Sequence, residues 1–198
     1  MSLANELRAA LGAGQRRSPV LLAGDMQEDE DAGELTPAAV LVAVVDRPEP
    51  TVILTERLMT MRKHPGQISF PGGRIDPGDE SPIAAALREA DEEIALPPAV
   101  VDVVGTADHY RTLTGFEVIP VIGVVPPDLP LRPHPGEVAS LFEAPLHHLL
   151  DPSRQVTRTA EFRGRERVYY EIEWQDRRIW GATAAMLVNL TRRLELVL

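Results

Sequence analysis

Gly72–Leu96 reads GGRIDPGDESPIAAALREADEEIAL: a glycine pair, a short polar turn, and a helix-forming run that carries Glu89, Glu92 and Glu93. Ser81 followed by Pro82 is a helix start. The hydroxyl can accept from a free first-turn amide, and proline at the first helical position gives up an N–H that has no partner there anyway. Ile83, Leu87, Ala90 and Ile94 recur at helical spacing and give the helix an apolar stripe. Leu96-Pro97-Pro98 ends it, because neither proline continues a helix and the residue before a proline avoids the helical region. On such a helix Glu89 neighbours both Glu92 and Glu93, and like charges at those spacings cost an isolated helix roughly 0.2–0.5 kcal/mol per pair. Carboxylates so placed call for a cation. Hard divalent ions take oxygen ligands, and Mg²⁺ in particular keeps positions open for water and substrate phosphates. The bland alternative is a solvated acidic face, and the flanking sequence decides between the two.

Upstream, Ala39–Val45 and Thr51–Thr55 are rich in β-branched and aliphatic residues and read as strands bounded by Pro48 and Pro50. Phe70-Pro71-Gly72-Gly73 follows them, and a glycine pair lets the backbone turn sharply and approach a ligand closely. Arg88 flanks the carboxylates and can orient one through paired hydrogen bonds. Downstream, Val100–Thr106 and Val118–Val125 read as strands, joined by a turn over His109–Phe116 near enough to reach substrate. Arg167–Trp174 alternates as a half-buried strand that can pair with Arg177–Trp180 across Gln175-Asp176, and Thr183–Val197 has the spacing of a second long helix. Leu3, Leu7 and Leu11 suggest a short amphipathic helix packing back on the domain. Gln27–Glu34 is an acidic, hydrophobe-poor loop. The organisation expected is an arm over residues 1–34 and one α/β domain over 35–198.

Composition bounds the function. The 198 residues are 44% hydrophobic and 25% charged with net charge −10, an ordinary globular balance. The acid excess and the lack of a basic stripe argue against nucleic acid, and would repel a polyanionic substrate at long range. Binding of one must be local, and Arg57, Arg62, Lys63 and His64 form a basic block before the glycine turn, where arginine forks match phosphate oxygens in pairs. No apolar run approaches a membrane span, the N-terminus lacks the pattern of a secretory signal, and the absence of cysteine excludes disulfides, thiol nucleophiles and cysteine-bound zinc or iron–sulfur centres. A cytoplasmic protein is expected. His147 and His148 are sequence neighbours that point different ways on a regular element, so surface or core roles are expected of them.

The run Arg88-Glu89-Ala90-Asp91-Glu92-Glu93-Ile94-Ala95-Leu96, with Glu80 seven residues upstream of it, resembles the Nudix box of the Nudix hydrolases. Two departures stand out: the gap from Gly73 to Glu80 is one residue longer than usual, and Ala95 replaces the usual glycine, which suggests a helix end needing no left-handed residue. Ile53-Leu54-Thr55-Glu56-Arg57, Arg62, Gly66 and Phe70-Pro71-Gly72-Gly73 are further similar to the additional motif of the coenzyme A pyrophosphatase branch, with Leu58 where that motif has serine. The resemblance runs over roughly residues 35–198.

It implies an α/β/α sandwich with a mixed sheet between helices, and Mg²⁺ or Mn²⁺ held by Glu89, Glu92, Glu93 and Gly72. Arg57, Arg62, Lys63, Gly66 and Phe70 are implied to contact substrate, with Arg88 supporting the chemistry. Glu137 resembles the extra acidic residue many Nudix enzymes bring to the metals; metal or base work and a structural salt bridge both remain open for it. Glu89 or Glu137 is the candidate base. Coenzyme A or a derivative would yield 4′-phosphopantetheine and 3′,5′-ADP. The alternatives are a Nudix pyrophosphatase for ADP-ribose, dinucleotides or nucleoside triphosphates, and a non-catalytic Nudix-type ligand-binding domain. The partner implied is a small molecule, and the N-terminal arm could serve a homodimer contact.

Overall fold

Thr36–Val45 (β1) is buried on both faces, and most of the architecture follows from that. Ala39, Leu41, Ala43 and Val45 enter one apolar cluster, while Ala38, Val42 and Val44 enter another on the opposite side. A strand apolar at nearly every position belongs in the middle of a sheet with both faces covered. A computed structural model describes residues 2–19, 21–25, 34–61, 64–162 and 164–194. Residues 26–33 of the acidic loop, Arg62, Lys63 and 195–198 lie outside the described residues.

The main sheet is mixed. β1 pairs antiparallel with β2 (Thr51–Arg57) and with the short β4 (Gly72–Arg74), and parallel over its whole length with β7 (Phe116–Val125). β3 (Ile68–Ser69) and β8 (Val138–Pro145) lie along β2, while β5 (Asp102–Thr106) and β6 (Tyr110–Arg111) pair antiparallel with β7. A smaller antiparallel sheet follows, β9 (Val156–Phe162), β10 (Arg165–Trp174) and β11 (Arg177–Trp180), in the order β11-β10-β9. Helix α2 (Pro82–Ile94) covers one face of the main sheet. On the other face lie α1 (Leu3–Gln15), α4 (Ala182–Leu194) and the inner side of the small sheet. A one-turn helix, α3 (Leu146–Leu149), follows β8. The mixed sheet between helices is the fold class expected from the sequence. Among the described residues no helix is long and apolar enough to cross a membrane.

α1 packs back through Leu7 and Leu11 and is strapped to α4 by Arg193. That nearly buried guanidinium binds Asp108 and donates to the carbonyls of Gly14 and Arg17. The histidine pair divides as expected: His147 is exposed, and His148 is buried against Trp174 with its Nε2 2.7 Å from the Glu173 carbonyl.

The end of α2 departs from the sequence expectation. Ala95 does adopt the left-handed conformation, at φ 53° and ψ 39°. The Ala95 amide then closes onto the Asp91 carbonyl, the 5→1 bond of an αL stop, and the Leu96 amide reaches the Ala90 carbonyl. Fully buried Leu96 holds this turn in place, so packing overrides the preference of alanine. Ala95→Gly is therefore expected to stabilise the fold by about 0.5–1 kcal/mol, a rise of about 1–4 °C in thermal midpoint for a chain of this size. An unchanged or lower midpoint would show that the residue carries no strain.

Candidate active site

Small side chains bring the carboxylate helix onto the sheet. Ser81 caps α2 by accepting from the Ala84 amide at 3.1 Å, and Ala85, Ala86 and Ala90 have no exposed surface. These three, with Ile94, form the deepest part of the buried face, and Ile83 and Leu87 pack at its margin. That seating carries Glu93 to the buried side, where it is 5% exposed.

Glu93 is held from two directions. The Gly72 N–H donates to Oε2 at 3.2 Å, and an Nη of Arg57 stands 3.9 Å from Oε1. Burial pushes its carboxyl up to about 7, against the opposing pull of the Gly72 amide and Arg57. Gly72 must be glycine: at φ 155° it lies in a region L side chains rarely adopt, and a Cβ there would stand 2.4 Å from the Ala39 carbonyl oxygen. Gly73 is constrained by the site itself, since a Cβ would come within 2.5 Å of the Glu89 carboxyl. Glu89 is also raised by burial, an effect that Arg88 opposes and the charges of Glu92 and Glu137 reinforce.

Arg88 is the hub of the polar network. It makes a fork to Asp79 at 3.0 and 2.9 Å, donates to Glu89 at 3.0 Å and Glu92 at 3.2 Å, and reaches the Arg74 carbonyl at 3.1 Å. The Arg88 guanidinium holds the Asp79 carboxyl below its ordinary range, with the Asp76 amide assisting at 2.8 Å. No pattern in the sequence singles out Asp79; Glu80, aligned to the family pattern, is exposed.

Glu137 arrives on a loop that finishes α2. The amides of Arg132 and His134 donate to the carbonyls of Ile94 and Glu93, at 2.9 and 2.7 Å, satisfying helix-end acceptors. The loop then turns so that Glu137 N–H reaches the His134 carbonyl, and the Leu58 amide donates to the Glu137 carbonyl. Glu89, Glu92, Glu93, Glu137 and His134 together line an open cavity of about 320 Å³.

The donor set of that cavity fits a hard divalent ion, since its carboxylates offer oxygen alone. Among the described residues, however, no group of three or more acidic or histidine side chains is arranged to hold a metal as placed. The reason is visible in their partners: Glu89 and Glu92 are turned to Arg88, and Glu93 to Gly72 and Arg57. Arg88 engages one oxygen of each, Oε1 of Glu89 and Oε2 of Glu92, so convergence on one ion would use the other oxygen of each carboxylate.

The substrate-contact expectations divide. The β2–β8 ladder slips between Glu56 and Arg57, where Ala139 has no counterpart, and bulges of this kind re-aim a side chain beside a site. Arg57 follows the slip and reaches the carboxylates, with its Nε buried and without a hydrogen-bond partner among the described residues. Gly66, at φ 66°, lies in the turn between β2 and β3. Phe70 is a correction: it is 2% exposed within the core cluster on the α4 side, so its ring cannot touch a ligand. Arg62 and Lys63 fall outside the described residues.

Comparison with known proteins agrees with this geometry. A NUDIX domain model matches residues 35–165. The uncharacterized Nudix hydrolase NudL of Cronobacter sakazakii is 48% identical over 153 residues, covering 77% of this chain and 80% of that protein. NudL of Escherichia coli is 43% identical over the same length and coverage. Among solved structures, the Nudix hydrolase RenU of M. smegmatis matches with a TM-score of 0.50 at 25% identity, over 59% of this chain and 74% of RenU. On the domain match, the relatives and the carboxylate helix together, the chain belongs to the Nudix hydrolase family.

Proposed function

We propose that this Nudix hydrolase cleaves the pyrophosphate bond of coenzyme A or a derivative, with Mg²⁺ or Mn²⁺, in a cytoplasmic setting. Nudix hydrolases generally use divalent cations and act on nucleoside diphosphate derivatives. The observation that carries the narrower reading is the bulge that sends Arg57, the arginine of the segment similar to the coenzyme A branch, to within 3.9 Å of the Glu93 carboxylate beside the cavity.

Glu89, Glu92, Glu93 and Glu137 would hold the ions. When bound, these neutralise pyrophosphate charge and acidify an attacking water. Half-buried Glu89, its affinity for a proton raised, would take the proton of that water, with Glu137 as the alternative base. The water oxygen bonds to one phosphorus as the bridging P–O bond breaks, the electron pair leaving with the other phosphate. Arg57 supplies a fork for phosphate oxygens, and Arg88 orients Glu89 and Glu92.

The test is chromatography of the products. Coenzyme A with Mg²⁺ or Mn²⁺ is expected to give 4′-phosphopantetheine and 3′,5′-ADP, and to be preferred to its 3′-dephospho form. Equal use of both would remove the 3′-phosphate site from the reading. Preference for ADP-ribose or a dinucleotide would replace the substrate while keeping the chemistry.

A further inference from the structure

His134 sits among the carboxylates of the cavity and differs from them in what it can offer. Its Nδ1 accepts a hydrogen bond from the Gly136 backbone N–H at 3.3 Å. An amide can only donate, so Nδ1 carries a lone pair and the ring proton is on Nε2. The turn is built for this. Pro135 stiffens it, and Gly136 leaves room for the ring, since a Cβ there would stand 3.1 Å from His134 Cε1. The His134 main chain is anchored by its amide on Glu93 and by its carbonyl, which accepts from Glu137 and Val138.

A histidine that ligates a metal normally donates its other ring N–H to an acceptor behind it. Here the ring has the opposite polarity: the nitrogen behind accepts, and the free one bears hydrogen. Among the described residues that line the cavity, His134 alone has a side-chain N–H to give. We propose that His134 is a substrate-contacting residue whose Nε2–H donates to a non-bridging phosphate oxygen of the bound pyrophosphate, and that it is not a metal ligand. The inference rests on the pyrophosphatase reading for its ligand, and on this chain's own turn for its donor.

Two variants separate the possibilities. His134→Ala removes ring and turn contact together. His134→Asn keeps an acceptor for the Gly136 amide, as an Asx turn does, but lacks the Nε2–H. Both are expected to lose about 10- to 100-fold in kcat/KM, the range for a lost hydrogen bond to a charged group, with Mn²⁺ affinity in the absence of substrate unchanged. A fully active His134→Asn would show that the ring only holds the turn. Weakened Mn²⁺ binding in either variant would make His134 a ligand. Both results overturn the proposal. The comparison runs on whichever panel compound the wild type hydrolyses. Were none hydrolysed, the pyrophosphatase reading would fall separately, and inorganic pyrophosphate binding with Mn²⁺ would still decide: equal affinity in wild type and His134→Asn overturns the contact, and weaker affinity in the variant supports it.

Discussion

Glu93→Gln is expected to abolish turnover while making the metal-free protein more stable. The activity loss follows from the proposed role of Glu93 as a charged oxygen ligand, where divalent ions contribute several kcal/mol, on the order of 10³-fold in kcat. The stability gain follows from burial. Glu93 is 5% exposed, and its carboxyl titrates at about 7 instead of the ordinary 4.5. Below pH 4.5 it is protonated in folded and unfolded chains alike, and the substitution should change little. Between 4.5 and 7 the unfolded chain ionises while the folded one resists, so stability drains away as pH rises. Above 7 the folded protein carries the buried charge in full, a cost on the order of 3 kcal/mol. Glutamine keeps an acceptor for the Gly72 amide without that charge. Thermal melts in EDTA should show a raised midpoint for the variant at pH 8 and almost none at pH 4. The same rise at both pH values would exclude burial of charge as its source. Added Mn²⁺ should reverse the order, stabilising wild type and leaving the variant unmoved.

Asp79→Ala should also cost activity, although Asp79 is no part of the carboxylate helix. Arg88 is fixed by a two-pronged bond to Asp79 and in turn holds Glu89 and Glu92. Partners that orient ligands are typically worth 10- to 100-fold in affinity or rate, and about that loss is expected. Arg88→Lys should lose a similar factor, because an ammonium cannot make the fork. The double variant should be little worse than either single one, since both break one unit. Losses that multiply would show Asp79 and Arg88 acting separately. Glu80→Ala, one residue on, should leave kcat/KM nearly untouched.

Much of this site is legible in the amino-acid sequence. Ser81, Pro82, the apolar spacing and the paired prolines mark α2 to within about a residue, because each acts through local backbone chemistry. The carboxylates follow from that helix. What stays hidden depends on distance through space. That Asp79 takes the Arg88 fork, with Asp76 only at 3.8 Å, is set by the path of a turn, to which helical periodicity is blind. His134 gives no sign in an exposed loop, and only the hydrogen bond from Gly136 reveals its proton. Phe70 misleads because an aromatic beside a glycine pair looks the same whether it faces ligand or core. Ala95 misleads because burial of Leu96 outweighs the local preference of alanine. Strand β9 is mostly polar and exposed on both faces, so it shows no alternation by which to find it.

The ten-residue parallel pairing of β1 with β7 joins segments separated by everything from Asp46 to Gly115. Closing so long a stretch of chain is entropically expensive and slow. α2 can become helical early from its own capping signals, but Glu93 gains its buried setting only when β1 and β7 have met and Glu137, beyond both, has been delivered. A ribosome-bound chain that stops before residue 137 would thus carry a formed helix and no working cavity. Ion capture should accordingly appear as a late, cooperative step in refolding, absent from any isolated peptide spanning residues 72–96.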